Sequence, residues 1–184
     1  MSCELYKKYK EDVVPKLLVE LKKKNRLDAP KMLKLVVHTC IGENAKDSAV
    51  LQYVEKNMKS IAGQKVLMTK SKHSISNFKV RKGMLLGMKV TLRGCRMYDF
   101  VYKLVNLVLP RVRDFAGVST DCIDKQGNLN LGFKDQIPFL EIGAEGVEKL
   151  HGLEISIVSS AKNKEEAISL FKLLGFPFKE FKKK

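Results

Sequence analysis

Residues 87–94 read GMKVTLRG. Met88, Val90 and Leu92 alternate with Lys89, Thr91 and Arg93, so an extended chain here turns three apolar side chains to one face and three polar ones to the other. A strand covered on both faces would be apolar throughout. This stretch therefore predicts a sheet with one face on the core and the other left open, carrying Lys, Thr and Arg.

The neighbouring segments extend that sheet. KMLKLVVHTC, residues 31–40, reads as a strand with Leu33, Leu35 and Val37 on one side and Lys34, Val36 and His38 on the other. KVLMTK (65–70), NLNLGF (128–133) and LEISIVSS (153–160) are further strand candidates. Helical spacing intervenes. Val13, Val14, Leu17, Leu18 and Leu21 form one stripe, with Pro15 marking a kink or a late start. Asp47 is placed to cap a helix whose stripe is Val50, Val54, Met58 and Ile61, and Gly63 sits at its C-terminal cap. Arg96–Leu109 is an apolar helix stopped by Pro110, and the last helix has Asn163 as cap, Glu166 at the capping-box position, Gly175 at its end and Pro177 beyond. Hairpin-like and helix-linked connections together predict an α+β fold: a mainly antiparallel sheet, helices packed on one face, and an open, basic face left to solvent or a ligand.

At 184 residues with 45% apolar content, the chain fits a single domain over 1–184. No internal repeat and no Pro/Gly/Ser-rich linker divides it. Two regions stand out, a long basic loop at about 70–83 and an acidic, loop-rich region at about 114–148. No apolar run is long enough to span a membrane. The segment MSCELYKKYKED lacks the apolar stretch of a secretory signal, so a cytoplasmic location is expected. Cys3, Cys40, Cys95 and Cys122 are scattered, with no CxxC pair and no histidine at ligand spacing. They read as reduced thiols rather than zinc ligands, and no metal, cofactor or small-molecule substrate is implied.

The net charge of +15 is sorted along the chain. From Gln64 to Arg113 there are twelve Lys or Arg against one acid, Asp99, whereas from Asp114 to Glu148 there are seven acids against Lys125 and Lys134. The basic zone suggests a polyanion, which in the cytosol is most often nucleic acid. The acidic zone suggests either a basic partner or a solvated surface. Within the basic zone, KSKHSISNFKVRKG (70–83) holds five Lys or Arg, one His and no acid.

On the open face, Lys89 and Arg93 can neutralise phosphates, and the Thr91 hydroxyl can reach phosphate or sugar oxygens. Gln64, just before a strand, can hydrogen-bond a base edge or a 2′-hydroxyl. RNA is favoured over DNA because no helix-turn-helix, basic zipper or zinc finger offers a helix for the major groove. Catalysis has little support. His38, His73 and His151 lack a sequence-visible nucleophile or metal partner, and the glycines at 83, 87 and 94 do not form a phosphate loop. Three readings stay open on the residues alone: a structural RNA-binding component, a free-standing basic RNA-binding or chaperone protein, and an RNA-processing enzyme.

The runs VTLRG, LPRVRDFAG, GNLNLG, SSAKNKEEA and LLGFPF occur in this order in the chain. Together they resemble the bacterial-type ribosomal protein five family of the large subunit, from about Leu5 to Phe178. The resemblance implies a 5S rRNA-binding structural component of the central protuberance, beside large-subunit rRNA and neighbouring proteins. Its implied 5S rRNA contacts fall on His38, Gln64, Thr91 and Arg93, with Lys89 on the same open face; the family usually has Asn where this chain has His38. It places the basic loop against peptidyl-site tRNA, with Lys72, Lys79, Arg81 and Lys82 on phosphates and Ile75 and Phe78 at the tip. It also implies contact with a basic small-subunit protein across the subunit interface, for which Glu141, Glu145 and Glu148 are the candidates. The chain departs from the pattern at Val66, Cys95, Ala116 and the pair Ser76-Asn77.

Overall fold

The computed structural model describes residues 3–42, 47–142 and 150–179. The chain opens with helix α1 (Glu4–Lys8), a π-helical turn (Tyr9–Val13) and helix α2 (Val14–Glu20). Strand β1 (Met32–Cys40), helix α3 (Ser48–Ala62) and strands β2 (Leu67–Lys70) and β3 (Leu85–Leu92) follow. Then come helix α4 (Gly94–Lys103), strands β4 (Leu129–Phe133) and β5 (Leu153–Ser159), and helix α5 (Lys164–Leu173). The five strands form one sheet in the order β2-β3-β1-β5-β4, with β2 and β3 an antiparallel hairpin. The fold is α+β with a mainly antiparallel sheet, as the strand alternation predicts.

Each of the longer strands buries one side. Leu35 and Val37 of β1, Met88, Val90 and Leu92 of β3, and Leu153, Ile155 and Ile157 of β5 are buried. Between them Lys34, Val36 and His38, Lys89 and Thr91, and Ser156 and Val158 are only half buried. One expectation fails at the start of β1. Leu33 is 44% exposed and Met32 is buried in its place, so the alternation begins one residue earlier than the pattern suggested and is broken at Leu33.

The chain divides into two compact units, residues 1–35, 92–131 and 156–184 forming one and residues 36–91 and 132–155 the other. In the first unit, Tyr98 stands 5.0 Å from Tyr6 and 6.0 Å from Tyr9, ring to ring, and the Tyr9 hydroxyl donates to the Pro30 carbonyl at 3.0 Å. Burial pushes the Tyr98 hydroxyl's pKa well up, and the nearby Tyr9 and Tyr6 push it further. Phe171 is fully buried and meets Phe176 edge to face at 5.5 Å. In the second unit, Val54, Met58 and Ile61 of the predicted α3 stripe are buried, whereas Val50 in the first turn is only half buried. The Asp47 carboxylate accepts the Ala49 N–H at 2.9 Å, and Gly63 takes the left-handed conformation (φ 62°) that ends the helix.

Prolines shape both long helical stretches of the first unit. A π-helical turn, Tyr9–Val13, ends two residues before Pro15, and a second, Leu104–Val108, ends two residues before Pro110. A proline offers no N–H to the carbonyl four residues back and its ring crowds that carbonyl. Widening the preceding turn removes the conflict: the Val14 N–H reaches Tyr9 and the Leu109 N–H reaches Leu104. Pro110 accordingly does not stop the helix at Leu109; it lies inside a final 3-10 turn, Leu109–Arg111. At α5, Asn163 holds the cap position through its backbone and makes no side-chain capping bond. Glu166 instead accepts the Lys162 N–H at 3.2 Å and pairs with Lys23 at 2.8 Å. Burial alone would raise the Glu166 pKa, but Lys23 and Lys162 outweigh it and hold the carboxyl below its ordinary value.

Ahead of β4 the chain turns through Asp124–Asn128. Asp124 accepts the Asn128 N–H at 2.7 Å, the Gln126 N–H at 2.9 Å and the Asn128 side-chain amide at 2.8 Å. Gly127 (φ 81°) lies so close to Ala161, Ala167 and Ser159 that a β-carbon there would have to displace them. Burial would raise the Asp124 pKa, yet the bonds from Asn128, Gln126 and Gly127 prevail and lower it. A carboxyl whose folded pKa is depressed adds stability above its unfolded pKa and loses it as pH falls through the folded value. We therefore expect Asp124→Asn to cost about 1–2 kcal/mol at neutral pH, for weakened charge-assisted bonds. Urea midpoints taken between about pH 6 and about pH 3 should show the difference between wild type and D124N shrinking with acid.

Candidate nucleic-acid interface

His38, Gln64, Lys89 and Thr91 all belong to the second unit. β3 carries Lys89 and Thr91 on its less buried side, one pleat apart. In the β2–β3 register Lys89 lies opposite Leu67, which is 61% exposed. Gln64 follows the α3 cap, and its Nε2 donates to the Thr91 carbonyl at 3.2 Å. That bond brings Gln64 and Thr91 together. It also commits one amide hydrogen to the fold, leaving the side-chain oxygen and one hydrogen. His38, on the corresponding side of β1, has its Nδ1 3.9 Å from Glu154 Oε2.

Arg93 lies two residues beyond Thr91, in the first unit. The strand ends at Leu92, and Arg93 is the N-terminal cap residue of α4 in extended conformation (φ −141°, ψ 164°). It is exposed and its side chain makes no capping bond.

The basic loop is a small folded unit at the end of the β2–β3 hairpin. Ile75 and Val80 exchange backbone hydrogen bonds at 2.9 and 3.1 Å around a 3-10 turn, Ser76–Phe78, closed by Lys79 in the left-handed region (φ 52°). At its base Ser71 bonds both Met84 and Gly83, and the Ser74 hydroxyl accepts the Lys82 N–H at 2.9 Å. Lys72, Lys79, Arg81 and Lys82 are exposed, and the tip leaves Phe78 70% and Ile75 47% exposed.

Of the acidic candidates, Glu141 is exposed, while Glu145 and Glu148 lie outside the described residues. The segment beyond them is anchored in the second unit. The Thr39 hydroxyl donates to the Gly152 carbonyl at 2.7 Å, and fully buried Gln136 accepts the His151 N–H at 2.8 Å. Burial lowers the His151 pKa, which suits a packed neutral imidazole rather than a general acid.

Two residues at this surface were missed from the sequence. Glu154 adds a carboxylate to a side expected to be uniformly basic; it alternates with Leu153 and Ile155, so its outward direction was readable. Gly87 is the other. Glycine inside a strand signals a close approach, and a β-carbon there would collide with the Thr39 carbonyl oxygen.

Two family models match most of the chain. Residues 25–81 match the model described as "Ribosomal protein L5", and residues 85–178 match the "ribosomal L5P family C-terminus". Among curated proteins, the large ribosomal subunit protein uL5 of Fervidobacterium nodosum is 48% identical over 176 residues, covering 96% of each chain. That of Kosmotoga olearia is 47% identical, covering 95% of this chain and 96% of its own. The Chloroflexus aggregans protein is 43% identical, covering 98% of this chain and all of its own. The chain belongs to the ribosomal protein L5 family, and is a structural, non-enzymatic constituent of the large ribosomal subunit.

Proposed function

We propose that this protein binds 5S rRNA in the central protuberance through the open side of its sheet, using His38, Gln64, Lys89, Thr91 and Arg93. The observation that carries the reading is the pairing of accessible cations, half-buried Lys89 and exposed Arg93, with hydrogen-bonding side chains: Lys89 and Thr91 share the less buried side of β3, and Gln64 is tied to Thr91. Lys89 and Arg93 neutralise phosphates, while Thr91 and Gln64 supply polar groups for sugar and base edges. Gradient fractionation of dissociated large subunits tests the address. Co-fractionation of the protein with 5S rRNA released from large subunits supports it, and release of the protein separately from 5S rRNA would contradict it.

In the same reading the basic loop meets peptidyl-site tRNA. Lys72, Lys79, Arg81 and Lys82 contact phosphates common to all tRNAs, and Ile75 and Phe78 pack at the tip. Backbone and shape contacts suit a surface that must accept every elongator tRNA. Deleting Ser74–Val80 removes the turn beyond the Ser71–Met84 closure, so folding and 5S rRNA binding should persist. Peptidyl-site tRNA should leave reconstituted ribosomes about tenfold faster, the factor given by about 1.4 kcal/mol of lost contact. Unchanged release would assign the loop to another partner. The acidic region, with Glu141 at its described edge, faces a basic small-subunit protein, a weak and salt-sensitive contact suited to subunits that rotate.

A further inference from the structure

His38 is held differently from the other residues of this surface. Its strand, β1, runs between β3 and β5. On one side its Nε2 comes 3.3 Å from the position a β-carbon on Gly87 of β3 would occupy. On the other, its Nδ1 is 3.9 Å from the Glu154 carboxylate of β5. The ring thus leans into space left by a missing side chain, with one nitrogen turned towards each neighbouring strand. Its hydrogen-bonding edge is directed along the sheet, and the side chain is still 39% exposed. The exposed part of the ring is what a ligand can reach.

We propose that Glu154 is a positioning residue that lays the His38 imidazole against the sheet, over Gly87, as a stacking platform for one unpaired nucleobase of the bound RNA. The proposal rests on the reading of this side of the sheet as the RNA-binding surface. Charge argues for a base rather than a phosphate at this spot, because the Glu154 carboxylate is 58% exposed and repels phosphate oxygens. An unstacked base has no net charge and a π-face that any planar ring can accept, which is how single-stranded RNA is commonly held.

The test is equilibrium binding of 5S rRNA to full-length variants whose fold is checked by circular dichroism. His38→Phe, which keeps a ring face and loses both nitrogens, should bind within about threefold of wild type, whereas His38→Ala should lose about 5–150-fold, the range for one base–aromatic stack. Glu154→Ala should weaken binding when His38 is present and should not weaken it in the His38→Phe background, a coupling that a merely structural role for Glu154 would not produce. His38→Phe as weak as His38→Ala would overturn the proposal in favour of hydrogen bonding through the ring edge. If His38→Ala binds normally while Lys89→Ala and Arg93→Ala are weakened, the platform is wrong and the surface is right. If all three bind normally, the surface assignment itself has failed.

Discussion

Lys89→Ala combined with Arg93→Ala should weaken 5S rRNA binding by about 2–6 kcal/mol, at about 1–3 kcal/mol for each hydrogen bond to a charged group. Neither truncation should unfold the protein. Lys89 stands on the less buried side of β3 opposite exposed Leu67, and Arg93 is exposed without a capping bond. The salt dependence gives a second reading of the same event. Each phosphate contact removed lowers the slope of log affinity against log salt by about one. Binding isotherms for the wild type, both single variants and the double variant at several salt concentrations would show this. Losses that vanish at all salt concentrations would make these two cations ordinary surface charge.

Phe171→Ala should have the largest effect on folding, about 3–5 kcal/mol. Phe171 is 0% exposed on α5 and packs edge to face on Phe176. Truncation removes the buried ring, leaves a cavity beside fully buried Leu170 and Ala167, and loses the aromatic pair. That is a large share of the stability of an ordinary domain. Urea denaturation followed by circular dichroism should show the midpoint falling steeply. Phe171→Leu, which refills much of the space, should recover most of the loss. A midpoint within the error of wild type for Phe171→Ala would mean that α5 is not packed as described.

Much of this architecture was legible before any coordinates. β3 was readable because its two faces differ completely in chemistry, and α3 because Asp47, the Val54-Met58-Ile61 stripe and Gly63 agree with one another. Disagreement between levels marks the misses. Leu33 is apolar and in phase, yet Met32 beside it takes the buried place at the start of β1. Pro110 looked like a stop signal, but a helix that widens to a π turn in time can carry a proline through. Asn163 has the right chemistry for a side-chain cap, and Glu166 took the Lys162 N–H while pairing with Lys23. At the candidate site, residue types and their side of the strand could be read locally for Lys89 and Thr91. The Gln64–Thr91 bond and the His38–Gly87–Glu154 arrangement could not, because they join residues brought close only by strand order.

The central claim is that the open side of the sheet is where 5S rRNA sits, and chemical footprinting of purified protein on 5S rRNA tests it most directly. The account predicts a compact set of protected nucleotides that is lost with the Lys89/Arg93 double variant and retained when Ser74–Val80 is deleted. Protection that survives the double variant, or disappears with the loop deletion, would contradict it.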